Sequence, residues 1–246
     1  MLVLLGLVPV SAQAQMQAFV LPGPVGGKHM LDAFIAQELI YPQNALDHGI
    51  AGDVWLIFNV MQDGRVEDLR VWRGLDATCD AEALRLARAV QWVPGMVGDV
   101  PVDAEHSLAI TFSPKTYRKW LKKRQELDAG LLAIPATTDP AVHSTAHVSE
   151  QPAPIIPGGE SFHTWWQKNL RYPPEALRRN IQGPLRLRFI VEPSGNISNL
   201  HAITDIGGGC IQEASRMLGS LKWRPAILNG QRVRSQVEME FVFRLP

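Results

Sequence analysis

"YPQNALDHGIAGDVWLIFNVMQDGRV" (residues 41–66) returns as "YPPEALRRNIQGPLRLRFIVEPSGNI" (residues 172–197), displaced by 131 positions (172 − 41). The displacement stays constant on both sides of the quoted stretch. Tyr41-Pro42 falls on Tyr172-Pro173, Cys79 on Cys210, Glu82-Ala83 on Glu213-Ala214, Trp92-Val93-Pro94 on Trp223-Arg224-Pro225, and Phe112 on Phe243. A register without gaps over that length defines two homologous units in tandem. The reading divides the chain into a leader-like segment (1–14), a first unit (24–113), a basic helix and linker (114–156) and a second unit (157–246).

Within each unit the hydrophobic period changes in the same order. Leu31, Phe34, Ile35 and Leu39 recur at i, i+3, i+4 and i+8, which predicts a helix that Pro42 ends. Val54, Leu56, Phe58 and Val60 alternate as in a half-buried strand, and Asp63-Gly64 turns the chain into a second one. Residues 80–90 predict another helix, and Leu108, Ile110 and Phe112 a closing strand. The second unit repeats this with Phe162, Trp165, Trp166 and Leu170, then Leu185, Leu187, Phe189 and Val191, a Ser194-Gly195 turn, and a long strand from Val233 to Phe243. The predicted fold is α+β: two tandem small domains, each a three-stranded antiparallel sheet packed with two helices. A long strand at the end of a unit is expected at a sheet edge, where a partner strand can pair with it. Arg186 and Arg188 alternate with apolar residues, so the other face of that sheet reads as basic.

The composition excludes some classes. Lys+Arg and Asp+Glu are equal at 24 each, so no global field steers the chain toward nucleic acid. Met1 to Val10 is an apolar run of about 10 residues, short of the roughly 20 that span a bilayer. With Ala12-Gln13-Ala14 behind it, the run reads as a cleaved export signal. It lacks an opening Lys or Arg, which leaves a translation start further upstream as the other reading. The linker opens with Lys115, Arg118, Lys119, Lys122, Lys123 and Arg124, while Tyr117, Trp120 and Leu121 lie at helical spacing. Such a helix either packs lightly on its neighbour or contacts cell wall or membrane surface. Residues 135–157, rich in Pro, Ala, Thr and Ser, read as an extended flexible tether.

Catalytic and metal signals are thin. His143 and His147 stand in the tether without further ligands, so neither a metal nor a cofactor is expected. No nucleophile–base motif appears, and the two cysteines do not form Cys-x-x-Cys. Cys210 at a helix start is the one candidate nucleophile. "IGGGC" (206–210) lacks the flanking pattern of a phosphate loop and reads as a permissive corner. Cys79 and Cys210 occupy equivalent positions and would form a disulfide only if the two units packed as a pseudo-symmetric pair. The other reading is a small buried residue in each core. The chain is not expected to be an enzyme.

Pro157-Gly158-Gly159, Tyr172-Pro173-x-x-Ala176, Gly183, Gly195, Gly207 to Cys210, Glu213-Ala214, Trp223-x-Pro225 and Phe243 together resemble the TonB C-terminal domain family. The first unit carries most of the pattern but has Asp76-Ala77-Thr78 for the triple glycine and Lys28 for the second Gly. The resemblance implies a periplasmic module that takes the short extended box of outer-membrane transporters as an added strand. In anchored members, inner-membrane proton-driven motor proteins supply the force. The box strand lies beside the last strand of the domain, which places Val233, Arg234, Ser235, Gln236, Val237, Glu238 and Met239 at the contact, with Tyr172 and Pro173 nearby. Val102 to Phe112 is the equivalent in the first unit. The family's membrane helix and long Pro-rich spacer are not visible in this sequence, so the expectation is binding without force transduction. The alternative is an envelope adaptor that holds cell wall or lipid through its basic surfaces.

Overall fold

The computed structural model describes residues 18–122 and 129–245. The leader-like segment, Lys123 and Arg124 lie outside them. Repeat 1 runs β1 (Phe19–Val20), β2 (Gly23–Pro24), α1 (Gly27–Glu38), α2 (Gln43–Asp47), β3 (Gly52–Val60), β4 (Val66–Arg73), α3 (Ala77–Ala89), β5 (Trp92–Val93), β6 (Gly95–Val97), β7 (Val100–Val102) and β8 (Ala104–Phe112). The connecting region holds α4 (Pro114–Leu121), α5 (Ala129–Leu132), β9 (Val142–Ser144) and β10 (Ala153–Ile155). Repeat 2 runs α6 (Phe162–Asn169), α7 (Pro174–Arg178), β11 (Gly183–Val191), β12 (Ile197–Ala202), α8 (Cys210–Gly219), β13 (Lys222–Arg224), β14 (Ala226–Leu228) and β15 (Gln231–Phe243).

Strand alternation decides which face each sheet buries. On β3, Val54, Leu56, Phe58 and Val60 are fully buried, and they meet Leu108, Ile110 and Phe112 of β8. Leu31 and Phe34 of α1 and Cys79, Ala83, Leu86 and Ala87 of α3 close that core from one side. Repeat 2 does the same with Leu185, Leu187, Phe189 and Val191 under Trp165, Trp166, Ala214, Met217 and Leu218. Each repeat therefore has the three expected antiparallel strands with the first in the centre, β4-β3-β8 and β12-β11-β15, and in repeat 2 β14 and β9 extend the sheet to five strands. The register matches as well: Phe58 faces His106 as Phe189 faces Val237. Repeat 1 splits its last strand at Asp103, whose carboxylate accepts the Gln62 amide at 2.7 Å. In repeat 2 the same strand runs unbroken for 13 residues.

The tether expected over 135–157 is instead bonded to repeat 2. The Arg232 amide donates to Pro135 at 2.8 Å, and Arg232 accepts from the Thr137 amide at 2.9 Å. β9 pairs in parallel with Arg234 to Gln236, the Ser149 amide donates to Ile227 at 2.7 Å, and β10 pairs with β13. The physical reason is an unfilled edge. β14 and the start of β15 present backbone groups that gain more from a protein partner than an isolated tether gains from water. The expected basic sheet face is also corrected, because Glu238 binds Arg188 at 2.6 Å and Arg186 at 3.5 Å, and Glu240 lies across the sheet from Arg186, so the two charges are balanced.

The two repeats are joined by polar groups that neither core could bury alone. Arg234 and Glu192, with side chains 6% and 5% exposed, form an ion pair at 2.9 Å. Arg234 Nη2 also donates to the Ala89 carbonyl of repeat 1 at 2.7 Å, and Nη1 to Pro140 of the linker at 2.7 Å. Asn199, held at φ 50°, donates to Ala89 at 3.0 Å and accepts from the Gln91 amide at 2.7 Å. At the end of α1, Glu38 accepts from Ser194 at 2.5 Å and Asn196 at 2.7 Å. Burial raises the Glu38 pKa, Glu192 adds to the rise, and the Asn196 and Ser194 bonds and Lys222 only partly oppose it.

A raised carboxyl contributes stability that is fully present below its unfolded pKa and lost as pH rises through the folded one. Glu38→Gln should therefore be more stable than the parent at pH 7, with the gap closing as the pH falls through the raised folded pKa toward the ordinary carboxyl value of 4.5. Thermal melts across that range check it; a variant less stable at pH 7 and equally so in acid would contradict the sign.

Candidate partner-binding edge and groove

The expected contact strand is β15, and its two halves differ. The β14–β15 hairpin closes on Asn229-Gly230, both at positive φ (51° and 72°), with Leu228 facing Gln231 as the flanking pair. In such a two-residue loop the flanking residues exchange both backbone bonds. Strand parity then points the N–H and C=O of Gln231, Val233, Ser235, Val237, Met239, Phe241 and Phe243 away from β11. Over Val233 to Gln236 that side is already taken by β14 and β9. Val233, Arg234 and Ser235 are buried, so the expected open edge over these residues is corrected: the chain covers it itself. Beyond Gln236 no described residue pairs with β15 on this side, which leaves Met239 to Phe243 as its free edge. Val237 adjoins the end of β9, and Glu238 is held by Arg188. In repeat 1, among the described residues, β8 pairs with β3 alone.

A groove adjoins the free half of β15. It is a cavity of about 570 Å³ between α6 and the strand, walled by Phe162, Trp166, Leu170, Tyr172 and Phe241. Trp166 lies 4.6 Å from Phe241, centroid to centroid, and Tyr172 meets Phe243 edge-on at 5.8 Å. The Tyr172 hydroxyl donates to Ile181 at 2.6 Å, and burial raises its pKa. Pro173 sits beneath Gly209, where an added Cβ would be 3.4 Å from its ring. Tyr172 therefore borders the groove, whereas Pro173 packs against the glycine corner.

The recurring Glu-Ala and Tyr-Pro motifs turn out to be one device. Glu213 accepts the Arg171 amide at 2.7 Å and is gripped by Arg216, which also donates to the Asn169 carbonyl at 3.1 Å. Glu82, Ile40, Arg85 and Glu38 reproduce this in repeat 1. Burial alone would raise the Glu213 pKa, but the Arg216 contact and the Arg171 amide outweigh it and the pKa is lowered. Each clamp fixes the turn before Tyr-Pro, and the tyrosine hydroxyl (to Ile50 or Ile181) fixes the turn after it. Sequence reasoning found the motifs but missed the Arg three residues after each Glu, whose i, i+3 spacing on a helix was the available signal.

Cys79 and Cys210 are unpaired, each buried in its own core, so the disulfide reading is corrected. Burial, then the Asp76 carboxylate, pushes the Cys79 thiol up to about 12. Burial also raises that of Cys210, the opposite of what a thiolate nucleophile needs. His143 lies in β9 and His147 in a short 3₁₀ turn; among the described residues no cluster of three or more His, Cys, Asp or Glu could hold a metal. Among the described residues no helix is long and apolar enough to cross a membrane. In α4, Tyr117 is buried against repeat 1 and Trp120 packs beside it, while Lys115, Arg118, Lys119 and Lys122 face outward or lie half exposed.

Two α+β units, each presenting a sheet edge beside a helix, define a class of small sheet-edge domains. The family model described as the Gram-negative bacterial TonB protein C-terminal matches residues 37–114 and 168–245, and the chain belongs to that family. Among solved structures, the NMR structure of the Helicobacter pylori TonB C-terminal domain is 21% identical over 35% of this chain and 78% of that one, with a TM-score of 0.27. No curated protein matches the chain.

The repeats start their second core helix differently. In repeat 1 Asp76 caps α3, accepting the Thr78 and Cys79 amides, with its own pKa lowered to about 2. Repeat 2 uses glycines instead, and a Cβ on Gly208 (φ 64°) would come within 2.9 Å of the Ala176 backbone. Gly208→Ala should cost about 2 kcal/mol of repeat 2 stability. Urea unfolding followed through tryptophan fluorescence checks this, and an unchanged midpoint would mean that the corner relaxes freely.

Proposed function

We propose that this chain is a periplasmic, transport-associated binding module that takes an extended segment of an outer-membrane transporter as an added strand. Family membership supports the transport setting and the envelope location. The single observation that supports the mode of binding is β9: the chain already seats an extended segment of its own beside Arg234 to Gln236. Its neighbouring edge from Met239 to Phe243, and β8 in repeat 1, offer the same backbone groups with no partner among the described residues. Backbone pairing supplies affinity in such a mode, and side-chain pockets supply selectivity. Motor proteins of the inner membrane are partners only if the chain is anchored there.

The alternative of wall or lipid binding has less behind it, because Arg186 and Arg188, the cations of the expected basic face, lie against Glu238. The two readings differ in salt response, since exposed charges are screened and strand pairing is not.

The test uses the full chain and synthetic peptides spanning the periplasm-facing N-terminal segments of the outer-membrane transporters of its own cell. Met239→Pro and His106→Pro each remove one outward amide while leaving the inner ladder intact, with the matching alanine variants as controls for the side chain. At least one proline variant should lose affinity by about tenfold, and the alanine variants should not. Full affinity in both folded proline variants would rule out strand addition at these edges, and binding abolished by 0.5 M salt would favour the charged surfaces.

A further inference from the structure

The groove beside β15 has a counterpart in repeat 1, and there it is filled. Shifted by 131 positions, its walls Phe162, Trp166, Leu170, Tyr172 and Phe241 become Leu31, Ile35, Leu39, Tyr41 and Ile110. Against that wall lies α4. Tyr117, 8% exposed, belongs to the core of repeat 1, with its ring 5.3 Å from that of Tyr41, and Trp120 packs on the same cluster. The helix is aimed there by its start: Ser113 follows β8 directly, its hydroxyl accepts the Thr116 amide, and Pro114 occupies the first turn. In repeat 2 the positions equivalent to Ser113 and Pro114 hold Arg244 and Leu245, so the capping hydroxyl and the first-turn proline are both replaced. No described residue enters the groove, which stays open at about 570 Å³. Trp166, standing where repeat 1 has Ile35, lines it, and its indole N–H is buried without an acceptor among the described residues.

We propose that this groove is a docking site for a short amphipathic helix of another protein. That helix carries two aromatic side chains three residues apart on its buried face and an acidic residue in its first turn. The aromatic pair follows from Tyr117 and Trp120, which pack on the equivalent wall in repeat 1. The acid follows from the rim, where Arg244 replaces Ser113 and His163 replaces Asp32. Glu240 also borders the groove in place of Ala109, so the acid belongs at the Arg244 end, where it also meets the positive end of the helix dipole. A second copy of this chain is a poor source, since its own α4 is already capped and buried through Tyr117. The site shares the outer half of β15 with the strand edge but is read through side chains and does not depend on strand addition.

The probe is a lactam-bridged peptide of residues 113–122, bridged because an isolated helix this short is marginal in water. A second version carries Lys115→Glu, which puts an acid in the first turn. Both are titrated into the isotope-labelled full chain and followed by NMR. Shifts should concentrate on Phe162, Trp166 and Tyr172, and the Lys115→Glu peptide should bind about threefold more tightly at low salt. A peptide with Tyr117→Ala and Trp120→Ala should lose about tenfold or more. In a chimera whose residues 244–246 are replaced by the sequence of 113–122, the groove is filled from within and the shifts should vanish. No shifts at these three residues, or shifts that persist in the chimera, would overturn the docking site. Equal or weaker binding of the Lys115→Glu peptide would overturn the acidic partner.

Discussion

The buried pair of Arg234 and Glu192 holds together three parts of the chain: repeat 1, the linker and repeat 2. An arginine taken out of water must have its donors occupied, and a buried pair that loses one member costs about 3–5 kcal/mol. Here the donors reach Glu192 within repeat 2, Ala89 in repeat 1 and Pro140 in the linker. The pair therefore cannot be satisfied by repeat 2 alone. Its geometry requires the linker to lie along β15 and the end of α3 to lie against β12. Asn199 continues the contact by bonding the backbone on both sides of Val90, as a neighbouring strand would. The strand that resembles a free partner edge in the sequence is for that reason the most internally bonded strand of the molecule.

The repeated motifs are best understood as carpentry for the segment between the first helix and the first long strand. Glu82 and Glu213 each accept a backbone amide from the residue before Tyr-Pro, and their arginines pin the carbonyl at the end of the preceding helix. Tyr41 and Tyr172 then close the next turn through their hydroxyls and pack edge-on against Phe112 and Phe243. Residues that look like candidates for recognition are thus engaged in positioning the last strand. What they leave without a partner among the described residues is the backbone of β8, the outer half of β15 and the groove wall.

Much of this was legible because it is periodic. Alternation in Val54 to Val60 and Leu185 to Val191 marked the buried strands, Asp63-Gly64 and Ser194-Gly195 marked the turns, and the constant shift marked the duplication. What was not legible has a physical cause in each case. β9 is three residues long, too short for a period, and its pairing is through the backbone, which leaves no trace in the side-chain pattern. The neutral outer face of repeat 2 depends on Glu238 lying across the strand from Arg188, a relation fixed by register rather than by sequence distance. Cys79 and Cys210 occupy equal places in two separate cores, and symmetry in sequence gave no information on whether those places meet.

Duplication followed by divergence explains why the two repeats now offer different surfaces. In repeat 1, a serine and a proline after the last strand start a helix that folds back and fills the groove, while the strand edge has no partner among the described residues. In repeat 2 the same strand is covered over its first half by linker, while the groove stays open. Each repeat thus lacks the occupant that the other has acquired. An edge is satisfied by any extended backbone, but a groove is satisfied only by side chains of the right size and spacing. Open strand edges and one open groove give the chain two chemically distinct kinds of surface from a single repeated unit. The Arg234 network fixes their separation, so ligands at both would be held in one defined arrangement.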